Sequence, residues 1–136
     1  MDVLSSRVLL RPSDPPRSHA FYRDVLGLAV AREFGPPDHP GVVFFLGNGL
    51  LEVSGGSPDP PSGMALWLQV RDVGAEHARL AAAGVPVLQA PRLQPWGLIE
   101  AWIADPDGVR IVLVEVPADH PLRRDLRTAP GGQTGR

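Results

Sequence analysis

The chemistry open to this chain is bounded first by its inventory of side chains. It has no cysteine, so disulfides, thiolate metal sites and a cysteine nucleophile are excluded. All 13 basic residues are arginine, which removes side-chain Schiff-base chemistry. Carboxylates, arginines, three tryptophans and four histidines remain. Residues 105–115, DPDGVRIVLVE, read as a tight turn feeding a strand, and such a strand can carry a metal-binding carboxylate on the face opposite its core residues. Val112 fills that place. Asp105 and Asp107 are explained as turn residues bonding nearby backbone N–H groups, with Gly108 at positive φ and no need for calcium. The histidines supply no rescue: His19 and His77 fall on helical patterns, His39 in a loop and His120 near the end of the chain.

The elements that must position these groups follow from periodicity and turn residues. Residues 3–11 are strand-like, and Pro12-Ser13-Asp14-Pro15-Pro16 ends them with turn and helix-start residues. A helix is expected over 18–26, stopped by Gly27, and short strands over 28–34, 41–46 and 49–54. Residues 55–63, GGSPDPPSG, are a linker by composition. The order then restarts: a strand at 64–71, a helix at 73–83, and strands near 85–90, 97–104 and 109–116. Each half therefore reads βαβββ, with Asp14…Gly27 and Asp72…Gly84 bracketing the two helices. The expected division is a first module at 1–54, the linker at 55–63, a second module at 64–116 and a poorly ordered tail at 117–136.

Several functions are disfavoured on composition. A net charge of −2 gives no electrostatic reason to expect nucleic acid, and Arg123, Arg124 and Arg127 read as a solvated basic end. No apolar run approaches the ~20 residues of a membrane span, and the start MDVLSSRVLL lacks the pattern of a signal peptide, so a cytoplasmic protein without membrane contact is expected. The GNG at 47–49 and GG at 55–56 have no following lysine or helix and are turns, not phosphate loops.

FYRDVLGL at 21–28, RDV at 71–73, AAAGVPV at 81–87, PWG at 95–97 and DPDG at 105–108, in this order and with the duplicated elements, resemble the vicinal oxygen chelate superfamily over residues 4–116. That superfamily includes glyoxalase I, extradiol dioxygenases, fosfomycin-modifying enzymes and bleomycin-resistance proteins. The resemblance implies an α+β fold of two tandem βαβββ modules forming a cupped mixed sheet, helices on its outer face, the site inside the cup, and a homodimer. In metal-using relatives, four positions on the first and last strands of each module supply His or Glu. Mapped by motif, they fall here on Arg7, Glu52, Ala65 and Val112. Only Glu52 is a metal ligand by chemistry. Arginine is permanently cationic, and alanine and valine have no donor atom, so neither metal nor cofactor is expected.

The same slots fix which side chains face the cup, because strand residues alternate. Val8, Leu10, Leu51, Val53, Leu66, Leu68, Val70, Ile99, Ala101, Ile103, Ile111 and Leu113 are assigned to the helices. The inward set comprises Arg7, Leu9, Arg11, Leu50, Glu52, Ser54, Ala65, Trp67, Gln69, Leu98, Glu100, Trp102, Val112 and Val114, with Trp96 at the rim. From it, Arg7, Arg11, Glu52, Trp67, Gln69, Trp96, Glu100, Trp102 and Val112 are the expected ligand-binding residues, and no catalytic residue is assigned. Two readings of Glu52 stay open, a solvated strand carboxylate or the partner of Arg7 in place of an ion. Trp67 and Trp102 either fill the cup or a dimer interface, or form the walls of a binding pocket. Glu52 and Glu100 point to a cationic or hydroxyl-rich planar ligand stacked on tryptophan.

The expectation is a metal-free protein of the bleomycin-resistance branch that sequesters an aromatic natural product or antibiotic. The competing readings are a lyase, isomerase or oxygenase of the same fold, metal-dependent or using Glu52 or Glu100 as general base, and a regulatory module that reports a bound metabolite to a partner.

Overall fold

The computed structural model describes residues 1–59 and 61–123. The first strand, β1 (Arg7–Leu10), leads into helix α1 (Pro15–Ala20), which runs on as a π-helical turn over Phe21–Val25. Asp14 caps α1 in an extended conformation, its carboxylate accepting the Arg17 N–H, and Pro15 and Pro16 occupy the first helical positions, where no N–H is needed. The helix thus begins three residues before the start expected from the sequence. The proline pair is its first turn, not the loop before it.

Strands β2 (Val30–Phe34), β3 (Gly41–Leu46) and β4 (Gly49–Val53) complete the first module. In the second, β5 (Ala65–Gln69) is followed by α2 (Val73–Ala82), β6 (Val87–Leu93), β7 (Ile99–Ala104) and β8 (Arg110–Glu115). Asp72 caps α2 by accepting the Ala75 N–H at 2.9 Å, and the Glu115 carboxylate, at the end of β8, accepts the Val73 N–H at 3.0 Å. Gly84, at φ +82°, closes the helix in a conformation that favours glycine.

The modules form two four-stranded mixed sheets of the same order, β1-β4-β3-β2 and β5-β8-β7-β6. In each, the first strand lies parallel to the fourth and the remaining pairs are antiparallel. This is the α+β, two-module architecture. The segment between β4 and β5 carries no helix or strand among its described residues.

One apolar core serves both modules. It joins Leu10, Phe21, Tyr22, Phe44, Leu51 and Val53 of the first to Leu66, Leu80, Ala101, Ile103, Ile111 and Leu113 of the second. Polar clasps cross the same boundary. The Tyr22 hydroxyl donates to Asp105 Oδ2 at 2.8 Å, Asp107 accepts both the backbone N–H and the hydroxyl of Ser13, and the Arg79 guanidinium donates to the Val25 carbonyl at 2.7 Å. Burial, then the neighbouring Asp105 carboxylate, pushes the Tyr22 phenol well above its ordinary range, so it stays a donor. The DPDG turn therefore does more than reverse the chain: it fastens the second module to the first helix.

Residues 117–123, assigned by composition to the tail, include a 3-10 turn at Pro121–Arg123. His120 Nε2 lies 3.0 Å from the Trp96 carbonyl while its Nδ1 accepts the Leu122 N–H, which sets the ring as an Nε2–H donor. Arg124 and Arg127 lie outside the described residues. No helix among the described residues is long and apolar enough to cross a membrane.

Candidate functional site

Strand register divides each sheet into two faces. Residues paired across neighbouring strands share a face, so Leu9 goes with Glu52 and Val43, and Phe45 with Leu50 and Arg7. In the second sheet Trp67, Val112 and Trp102 align across three strands, as do Gln69, Val114 and Glu100. The expected helix-facing residues all lie in the shared core or pack against it, with Val8 the exception. Val8 sits near the free end of an edge strand and is 38% exposed.

On the inward face of the first module, Arg7 and Arg11 converge on one carboxylate. Arg7 reaches Glu52 Oε1 at 2.9 Å and Arg11 reaches Oε2 at 3.4 Å. The Ser54 hydroxyl donates to Oε2 at 2.6 Å, and its oxygen accepts from Arg11 at 2.6 Å. Of the two readings of Glu52, the structure shows the pair with Arg7. Hydrogen bonding from Ser54 first, then from Arg7 and Arg11, holds the carboxyl below the ordinary carboxylate range against the opposing effect of desolvation. With both oxygens engaged and its carboxyl held low, Glu52 is poorly suited to take a proton.

A divalent metal does not fit these residues. The four positions that the resemblance maps as ligand slots hold a guanidinium bonded to the one available carboxylate, an alanine and a valine, and among the described residues no three His, Asp or Glu side chains gather as ligands.

A pH dependence follows from Glu52. Because its folded-state carboxyl is held low, its contribution to stability is complete above the ordinary carboxylate range and is lost as pH falls through the lowered value. Both guanidiniums are more than a third exposed. Glu52→Gln is therefore expected to cost only about 1 kcal/mol at neutral pH and to converge on the unsubstituted protein in acid, as followed by urea unfolding across a pH series.

The second module builds a different cluster. Glu100 is 4% exposed, and its two oxygens each accept one indole N–H, from Trp96 at 2.8 Å and from Trp102 at 3.0 Å. Trp102 is half-buried, with the Arg110 guanidinium 4.7 Å from its ring centroid. Trp96 stands on the Gln94–Leu98 turn and is 56% exposed, while Trp67 is 50% exposed. Beside them Val112 packs on a small apolar cluster of Leu98, Val114 and Val116. The carboxylate thus fixes two aromatic rings without neutralising a cation.

A cleft of about 1020 Å³ opens between the edge strands β1 and β5. Arg7, Trp67 and Gln69 line it, together with Leu50 and with Arg71 and Arg123, which sequence reasoning did not select. Arg71 continues the alternation of Trp67 and Gln69 one step past β5 and was legible in principle. Arg123 was not, since composition alone gave its segment no fixed place. The expected site residues therefore form three groups: Arg7, Arg11 and Glu52; Trp96, Glu100, Trp102 and the neighbouring Val112; and the lining of the cleft, which Arg7 shares with Trp67 and Gln69. No hydrogen bond or ion pair among the described residues joins the Glu52 cluster to the Glu100 cluster.

The sequence profile of the Glyoxalase/Bleomycin resistance protein/Dioxygenase superfamily matches residues 5–113. A comparison with curated protein sequences found no match. Among solved structures, TnmS3, an antibiotic binding protein from Streptomyces sp. CB03234, is 25% identical with a TM-score of 0.71, covering 85% of this chain and 98% of its own. A superfamily member from Sphaerobacter thermophilus DSM 20745 is 24% identical, with a TM-score of 0.69 and coverage of 84% and 98%. Lactoylglutathione lyase from Agrobacterium tumefaciens is 24% identical, with a TM-score of 0.63 and coverage of 85% and 94%; these last two likenesses concern the fold alone. The profile spans both βαβββ modules and their inward faces, and the chain belongs to the glyoxalase/bleomycin resistance protein/dioxygenase superfamily.

Proposed function

We propose that this chain binds an aromatic natural product, with antibiotics as the leading class, and holds it without turning it over. The observation that carries the reading is the pair of half-exposed tryptophans, Trp67 and Trp96, on the inward side of a site whose two carboxylates are already engaged, Glu52 by Arg7 and Glu100 by indole N–H groups. Exposed aromatic faces offer stacking area, and pinning the Trp96 and Trp102 indoles to Glu100 reduces the ordering cost of binding. Likeness to the antibiotic binding protein TnmS3 supports the same class of ligand. Catalysis would need a free base or a Lewis acid, and the Glu52 cluster offers neither.

The working form we propose is a homodimer. Leu9, Phe45 and Trp67 are each at least half exposed on the inward faces, and a second copy would cover them.

Tryptophan emission titrated with planar quinones, polyketides and glycopeptides tests the reading. Saturable quenching by at least one class is expected, and Trp96→Ala should weaken it about tenfold or more, the scale of one lost stacking contact. An emission spectrum indifferent to the whole panel would remove the support for binding.

A further inference from the structure

We infer that the ligand is an anion, a planar aromatic bearing a carboxylate, sulfonate or phenolate whose charge lies in the cleft between β1 and β5 against Arg71 and Arg123. This rests on the proposed aromatic-binding reading and assigns the ligand a negative charge, where Glu52 and Glu100 read from the sequence pointed to a cationic or hydroxyl-rich ligand.

The reversal comes from where the carboxylates are used. Glu52 is met by two guanidiniums and a hydroxyl, and Glu100 by two indole N–H groups, so neither is left to attract a cation. The cleft itself is lined by Arg7, Arg71 and Arg123 and by no Asp or Glu among the described residues. Arg7 has Glu52 as its counter-ion, whereas Arg71 and Arg123 have no ion-pair partner among the described residues. This excess of positive charge occurs in a chain whose net charge is −2, so it belongs to the cleft and not to the surface in general.

The positions of these arginines suit a bound anion. Arg123 Nε donates to the Val116 carbonyl at 2.6 Å, which anchors the root of the guanidinium while its terminal N–H groups remain for a ligand. The preceding His120 ties the same segment to Trp96. Along β5 and just past its end, Trp67, Gln69 and Arg71 follow one another on alternate positions, giving a ring face, an amide and a cation along one line. A cleft of this size accommodates a polycyclic ligand, and walls of protein on both sides focus the arginine field more than a flat surface would.

The test is calorimetric titration with three anthraquinones alike in shape: the 2-carboxylate, the 2-hydroxymethyl compound and the 2-aminomethyl compound. The carboxylate is expected to bind about tenfold more tightly than the alcohol, the combined effect of two partly exposed charge contacts, and the amine more weakly than either. High salt should shrink the ratio in the unsubstituted protein, and Arg71→Gln combined with Arg123→Gln should bring it to within about twofold of unity. Equal binding of all three, or preference for the amine, would overturn the charge assignment and leave aromatic binding standing. A preference that survives both the double substitution and high salt would overturn the role of Arg71 and Arg123. Failure of all three to bind would overturn both this inference and the reading beneath it.

Discussion

Replacing Asp105 by alanine is expected to lower the folding free energy by about 4 kcal/mol, a large share of the 5–15 kcal/mol that holds a typical domain together. Asp105 is 4% exposed. Oδ1 accepts the backbone N–H groups of Asp107 and Val109 at 2.8 and 2.9 Å, and Oδ2 accepts the Tyr22 hydroxyl at 2.8 Å. Alanine would leave three donors without their acceptor, one of them a phenol at 0% exposure. The loss would strike the turn and the boundary between modules together. Tyr22→Phe removes only the boundary contact and should cost about 1–2 kcal/mol, because Asp105 keeps its two backbone bonds. Urea denaturation measures both. If the two variants proved equally mild, the clasp would carry no weight in holding the modules together.

Glu100→Gln is the second substitution with a large expected effect, although it changes one atom. A carboxylate offers two acceptors, and Trp96 and Trp102 each use one. An amide offers one acceptor and one NH2 group, and an indole N–H can only donate, so one ring must lose its bond. Trp96 is the ring expected to leave, being the more exposed and standing on a turn, whereas Trp102 is held in β7 beneath Arg110. A stability loss of about 1–3 kcal/mol is expected from the unpaired group. Aromatic ligand affinity should fall about tenfold as one stacking wall becomes mobile, with the emission of Trp96 shifting to the red. Unchanged emission and unchanged affinity would mean that the carboxylate does not position the ring.

These two residues also mark where the sequence stopped being legible. The alternation of faces along each strand could be read directly, because a period of two sends whole sets of side chains one way or the other. It placed Leu66, Ile103 and Ile111 in the core, and Trp67, Glu100 and Trp102 on the other face. Val8 escaped the rule because burial needs a neighbour as well as a direction, and the end of an edge strand lacks one. The resemblance offered the Arg7–Glu52 pair as one of two readings, since both residues fall on its ligand slots, and the structure sets them on adjacent parallel strands.

What could not be read were contacts that depend on how separate pieces dock. Tyr22 and Asp105 are 83 residues apart, and no local pattern announces that a turn residue of one module will receive a phenol from the other. Glu100 could be assigned inward, but the convergence of two indoles on it depends on the geometry of the turn carrying Trp96. The same holds for residues 117–123, whose composition suggests a loose end while His120 and Arg123 tie them to Trp96 and Val116. The expectation of a cationic or hydroxyl-rich ligand rested on Glu52 and Glu100 as inward carboxylates, and only the structure shows that both already accept hydrogen bonds from neighbouring side chains.

The central claim, that this cup takes organic surface in place of an ion, is tested most directly by a crystal structure of the protein with the tightest binder from the aromatic panel. A planar ring system stacked on Trp67 or Trp96 is expected, its polar group within reach of the cleft arginines and the Arg7–Glu52 pair intact. A metal ion coordinated by Glu52, with Arg7 displaced, would contradict it.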